Sequence, residues 1–151
     1  MNNFKVKLSW SLYDWANSAW SAMIITFVFS RYFVEVLSED ANTGTLYWTW
    51  TIGISSLVAA ILSPFFGTFS DQNQKTKFWL IITTLIYSFI CFAFWNAKPD
   101  GFSILLIITL IFLGNLSYEI SQIFYNGQIK EISTEKEFAK LSGFAWGLGY
   151  I

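Results

Sequence analysis

Histidine is absent from the 151-residue sequence, and cysteine occurs once, as Cys91. A zinc or copper site would have to be assembled from carboxylates alone, which suits neither metal, so no metal centre is expected. A lone cysteine forbids a disulfide within the chain, and its place inside an apolar run argues against redox chemistry. Charge is scarce too: 13% of the residues are Asp, Glu, Lys or Arg, where soluble domains carry about a quarter. No basic tract of the kind that binds nucleic acid is present, and there is no Walker-type glycine loop, Ser/His/Asp set or haem-ligating histidine. These absences leave no nucleotide, redox or hydrolytic engine in the sequence, so neither an enzyme nor a cofactor is expected.

What remains is apolar: 54% of the chain is hydrophobic. Thirty residues (41–70) separate Asp40 from Asp71 without a formal charge, 20 (78–97) separate Lys77 from Lys98, and 18 (101–118) separate Asp100 from Glu119. A hydrocarbon core about 30 Å thick is crossed by about 20 residues of helix at ~1.5 Å each, so each run can span a bilayer. Lys5 and Lys7 precede a further apolar stretch, as they would in a signal peptide. Asp14 and Asn17 interrupt its start, however, and no small-x-small cleavage site follows, so it reads as an uncleaved first membrane helix.

The expected fold is all-α, a polytopic transmembrane bundle. Its helices fall at about 12–37, 46–69, 78–96 and 102–127, with a fifth opening at 135–151. Ser11 with Asp14 and Thr134 with Glu137 have the spacing of capping boxes for the first and fifth helices. Arg31 and Glu35 are placed to pair four residues apart. The 17 residues from Glu135 to Ile151 give ~26 Å of helix, short of a full span. Residues 1–151 are therefore expected to be the N-terminal part of a longer protein, whose remaining helices would be the chain's partners along with lipid. On helix two, Gly53, Ser56, Ala60, Ser63 and Gly67 form a small-residue stripe suited to close helix approach, and Gly143-x-x-x-Gly147 has the same meaning on helix five.

Orientation follows from the basic residues. Lys5, Lys7, Lys75, Lys77, Lys130, Lys136 and Lys140 fall on one side, and Lys98 and Arg31 on the other. This bias places the N-terminus in the cytoplasm, in a cell (inner) membrane.

Ionisable groups in a bilayer cost at least a few kcal/mol, so their positions carry information. Asp14, Asn17, Ser18 and Ser21 share one face of helix one, and Asn115, Tyr118, Glu119, Gln122 and Asn126 share one face of helix four. Glu119 lies 17 residues past Phe102, ~26 Å along a ~30 Å core, so both stripes end near the cytoplasmic side. A polar stripe facing lipid would be penalised, which points both inward, to protein or a water-filled cavity. Asp14 could serve only as a capping acid; Glu119 has no such structural duty.

Three stretches resemble known sequence patterns. Gly67-Thr68-Phe69-Ser70-Asp71-Gln72-Asn73-Gln74-Lys75-Thr76-Lys77 resembles the G-x-x-x-D-x-x-G-[RK]-[RK] loop of the major facilitator superfamily. Gly67 and Asp71 match, Lys75 and Lys77 supply basic character, and Gln74 and Thr76 depart from the pattern. In that superfamily the loop is associated with gating. Trp10-Ser11-Leu12-Tyr13-Asp14-Trp15-Ala16-Asn17-Ser18-Ala19 resembles the W-x-x-Y-D-W-A-N-S-A opening of its vacuole-effluxer-like family. Phe124-Tyr125-Asn126 and the run Ser142 to Tyr150 resemble that family's F-Y-N and S-G-x-x-W-x-x-G-Y segments.

The resemblance implies a twelve-helix fold of which this chain is the first four helices and part of a fifth. It also implies secondary-active efflux of a small solute by alternating access, amino acids being the substrates associated with fungal members. Asp14, Asn17, Ser18, Asn115, Tyr118, Glu119, Gln122 and Asn126 are the candidate cavity residues, with Glu119 the candidate to exchange a coupling proton. The rival readings are a small complete membrane protein acting as an assembly subunit, and a small dimeric exporter using Glu119.

Overall fold

The computed structural model describes residues 3–73 and 75–149, and side chains at 4–68 and 75–149. The chain forms the expected all-α bundle: four helices long and apolar enough to cross a membrane, followed by a shorter C-terminal helix. Helix α1 is a composite. It is α-helical over Asn3–Ala19, π-helical over Trp20–Phe27, α-helical over Phe29–Tyr32 and π-helical again over Phe33–Leu37. Helix α2 is Ala41–Asn73, and α3 is Thr76–Ala93, ending in a 3-10 turn at Phe94–Asn96. Helix α4 is Ile104–Gly127, a single turn follows at Ile129–Ile132, and α5 is Glu135–Leu148.

Two starts differ from the sequence reading. Helix α1 begins nine residues before Leu12, at Asn3. Ser11 is fully buried inside it and donates back to the Lys7 carbonyl at 3.1 Å, so it is not an N-cap and no capping box with Asp14 forms. Helix α2 begins at Ala41 rather than Leu46 because Asp40 caps it, accepting from the backbone N–H of Asn42 at 2.9 Å and of Thr43 at 3.0 Å. The Thr43 side chain, followed by these backbone donors, holds the Asp40 carboxyl below its usual range. A carboxylate at a helix N-terminus also complements the macrodipole. The capping box at α5 does form, with the Thr134 backbone N–H 3.2 Å from Glu137 Oε2.

The wide turns of α1 decide which of its residues face inward. A regular helix carrying Trp20 inward would bring residues 24, 27 and 31 to the same face. Instead Trp20, Phe29 and Phe33 are buried, while Phe27 is 70% exposed and Arg31 pairs with Glu35 at the surface, 2.9 Å away. The i→i−5 ladder shows in Val28 N–H to the Met23 carbonyl at 3.2 Å and Ser38 N–H to that of Phe33 at 3.1 Å.

Helix α4 is the centre of the packing, with α2 on one flank and α3 on the other, while the N-terminal half of α1 lies against α5. One apolar cluster gathers Trp20, Phe29, Phe33, Tyr87, Phe94 and Ile111 at the end of the bundle remote from the N-terminus. A second gathers Trp10, Leu80, Phe124, Tyr125, Leu141 and Ala145 at the N-terminal end. Outward faces carry Leu57, Ile61, Phe65, Phe89, Phe92 and Leu105, which are 60–78% exposed, as lipid-facing side chains would be.

The expected small-residue stripe of α2 meets α4 at Ser56, which reaches Asn115 and Glu119, but its glycines do not face a neighbour. Thr51, Ser55 and Ala59 are the buried residues, whereas a Cβ added at Gly53 or Gly67 would meet nothing within 4 Å. Likewise Gly143 and Gly147 of α5 stand open, and Leu141 and Ala145 are the ones buried. The close approach occurs at Gly114 on α4, where a Cβ would overlap the Trp20 indole.

A salt bridge ties the two ends of the chain: Lys7 Nζ is 3.0 Å from Glu137 Oε2. The Lys7 hydrogen bond, with help from the Thr134 donors, holds the Glu137 carboxyl below its ordinary value of 4.5. A carboxylate depressed in the folded state contributes stability above its unfolded value and loses it as pH falls through the folded value. Acidification below about pH 4.5 is therefore expected to loosen α5 from α1, and Glu137→Gln to remove that pH dependence. Hydrogen exchange of α5 amides, followed from pH 7 down to about pH 3, checks this; protection factors that stay equal over the whole range would refute it.

Candidate functional site

The candidate residues fall into two groups on either side of α4. On the first side, α1 and α3 meet through side-chain hydroxyls and an amide. Asn17, only 5% exposed, accepts a hydrogen bond from the Tyr87 hydroxyl at 2.6 Å. The Tyr13 hydroxyl lies 2.7 Å from Thr84 Oγ1 and 3.5 Å from the Tyr87 hydroxyl. Tyr118 of α4 closes this side, its ring edge-on to Tyr87 at 6.0 Å and stacked on Trp20 at 6.3 Å. Ser21 is within hydrogen-bond reach of Tyr118. Half-buried Asp14 lies within electrostatic range of both Tyr118 and Tyr125.

On the second side, α4 meets α2. Asn115 is 2% exposed, and its amide N–H groups donate to Ser55 Oγ at 2.8 Å and Ser56 Oγ at 3.2 Å. Ser56 in turn donates to Glu119 Oε1 at 3.4 Å, a long bond on a half-buried carboxylate. Asn115 and Glu119 are four residues apart and so share the α2-facing side, while Tyr118, one residue from Glu119, points to α1 and α3. Tyr118, next to Glu119 in the chain, packs on Trp20 of α1, the helix that carries Asp14. Among the described residues, neither acid lies within ion-pair distance of a lysine or arginine.

The remaining candidates are placed less centrally. Ser18 donates to its own helix, to the Trp15 carbonyl at 2.7 Å. The Gln122 amide nitrogen is buried with no partner among the described residues, whereas Asn126 is exposed. In the loop resembling the gating pattern, α2 continues as helix to Asn73, so Gly67 and Asp71 are helical rather than in a loop. The Asp71 side chain lies outside the described residues, and Lys75 and Lys77 are exposed at the start of α3. No group of three or more His, Cys, Asp or Glu able to hold a metal is found among the described residues.

The sequence reading passed over Tyr87, Thr84 and Ser55, and it took Tyr13 only as part of a motif. The signal was available in Thr83-Thr84-x-x-Tyr87-Ser88, a polar patch at helical spacing inside the third apolar run. These groups can hydrogen-bond a polar solute or pass a proton, and they form an acid-bearing polar seam within the candidate membrane spans.

A family model described as "Vacuole effluxer Atg22 like" matches residues 30–140. The chain belongs to that family, as its motifs suggested. It is 31% identical, over 157 aligned positions, to a protein of Bacillus subtilis (strain 168) named "Uncharacterized MFS-type transporter YxiO". The match covers 97% of this chain and 35% of the relative, so the chain spans about a third of that protein's length. No solved structure matches the chain.

Proposed function

We propose that this chain is the N-terminal part of a secondary-active transporter that exports a small solute by alternating access. The observation that carries the reading is the pair Asp14 and Glu119, both half-buried within candidate membrane spans and without a basic partner among the described residues. Carboxylates held in a bilayer without ion pairing are the groups proton-coupled carriers use. Asp14, Asn17, Tyr118 and Glu119 line the solute path, with Ser18, Asn115, Gln122 and Asn126 contributing along its length, and Glu119 exchanges the coupling proton. Amino acids are the proposed substrate class, since these amides, hydroxyls and acids can engage a zwitterion through hydrogen bonds. The excess of lysines at the N-terminal end places that end in the cytoplasm of a cell membrane.

The test is flux through the longest natural form of the protein in proteoliposomes, offered radiolabelled amino acids under an imposed pH gradient. Gradient-dependent movement of at least one amino acid class above protein-free vesicles is expected. Absence of flux for every class, together with recovery of the chain in a stoichiometric complex with another membrane protein, would favour the assembly-subunit reading instead.

A further inference from the structure

At the N-terminal end of the bundle an open groove of about 600 Å³ lies between α1 and α3, with the end of α4 as its floor. Two floor residues have buried polar atoms without a partner among the described residues: the hydroxyl of Tyr125, which is 3% exposed, and Nε2 of Gln128. Buried donors of this kind call for an acceptor that the protein itself does not supply. Exposed Lys5 on α1 and Lys77 on α3 flank the opening. Glu131 also lines it, so the groove keeps one net positive charge. The rest of its wall is apolar, with Val6 on one side and Leu80, Ile81 and Leu85 on the other.

We infer that this groove is a binding site for an anionic phospholipid. A phosphodiester carries one negative charge, which matches the net charge of the opening, and it offers the Gln128 amide the acceptor it lacks once that side chain turns outward. An acyl chain lies against Val6, Ile81 and Leu85, which continue into the lipid-facing surface. Basic groups at the end of membrane spans are the usual partners of acidic headgroups. A zwitterionic choline headgroup fits less well, because its ammonium would meet the two lysines. The inference stands on the groove and does not depend on the transport reading.

Native mass spectrometry of the longest natural form of the protein, purified in detergent, tests it with phosphatidylglycerol, phosphatidylcholine and inorganic phosphate as the probes. Phosphatidylglycerol is expected to be retained in preference to phosphatidylcholine, with inorganic phosphate failing to displace it. Lys5→Gln and Lys77→Gln should each weaken that retention about fivefold, and Gln128→Leu should weaken it as well. Lys98→Gln, at the opposite end of the bundle, should leave it unchanged. Equal retention of the two lipids, a preference that survives the Lys5→Gln/Lys77→Gln double substitution, or displacement of the lipid by inorganic phosphate would each overturn the assignment.

Discussion

Glutamine at position 119 is expected to abolish gradient-driven accumulation of solute while leaving downhill exchange in place. Glu119 is half-buried on α4, and its one hydrogen bond among the described residues is the long contact from Ser56. Glutamine keeps the shape and can still accept from Ser56, so the α2–α4 contact through Asn115 should persist and the protein should fold. What disappears is the carboxyl that the proposed function assigns to the coupling proton. With one proton moved per solute, each pH unit across the membrane sustains about a tenfold concentration ratio. Without the proton that ratio collapses to one. Paired measurements on the longest natural form of the protein, accumulation under a pH gradient and exchange without one, separate coupling from passage. Accumulation that survives Glu119→Gln but fails in Asp14→Asn would move the titrating role to helix α1, and survival in both would remove proton coupling from this part of the protein.

Valine at position 114 is expected to destabilise the bundle by about 3 kcal/mol, the upper part of the range for overpacking a filled core. Gly114 on α4 faces the Trp20 indole so closely that even a methyl group would overlap it. The indole cannot swing aside, because Tyr87, Phe94 and Tyr118 surround it with ring centroids 5.5, 6.5 and 6.3 Å away. The same change at Gly53 or Gly67 should be nearly neutral, since open space surrounds both. Unfolding midpoints in mixed detergent micelles compare the three. The Gly114→Ala/Trp20→Phe double substitution should recover part of what Gly114→Ala loses, because the smaller ring vacates the contested space. Equal losses at Gly53 and Gly114 would contradict this account of the packing.

The number of spans was legible because long uncharged runs have no competing explanation. The capping pairs were less secure, since a serine and an acid three residues apart can occur anywhere along a helix. Thr134 and Glu137 follow a turn and do cap; Ser11 and Asp14 lie within a helix that already began at Asn3. The small-residue faces were partly misread for a related reason. Glycine attracts attention, yet Ser55, Ala59 and Ala145 are the residues that meet neighbours, and spacing alone does not tell which of two small-residue rows faces inward. Within the candidate site, the stripes identified Asn17, Asn115 and Glu119 but not their partners. Tyr87 and Ser55 sit on other helices, and single-sequence periodicity says nothing about which helices touch.

The π-helical stretches of α1 bear on how this span tolerates changes of length. Wide turns hold an additional residue without lengthening the rod by a full step. Loss of one codon between Trp20 and Phe29 would be absorbed by tightening to ordinary α-helix, and the span would still reach across the membrane. The side chains beyond the deletion would keep their facing, because the wide turns are what accommodate the extra residue, and Phe29 and Phe33 would stay against Trp48, against which both now pack. Lineages that lose one residue here could therefore keep the aromatic contact at the head of α2, whereas the same loss from a regular α-helical stretch would turn everything beyond it by about 100°.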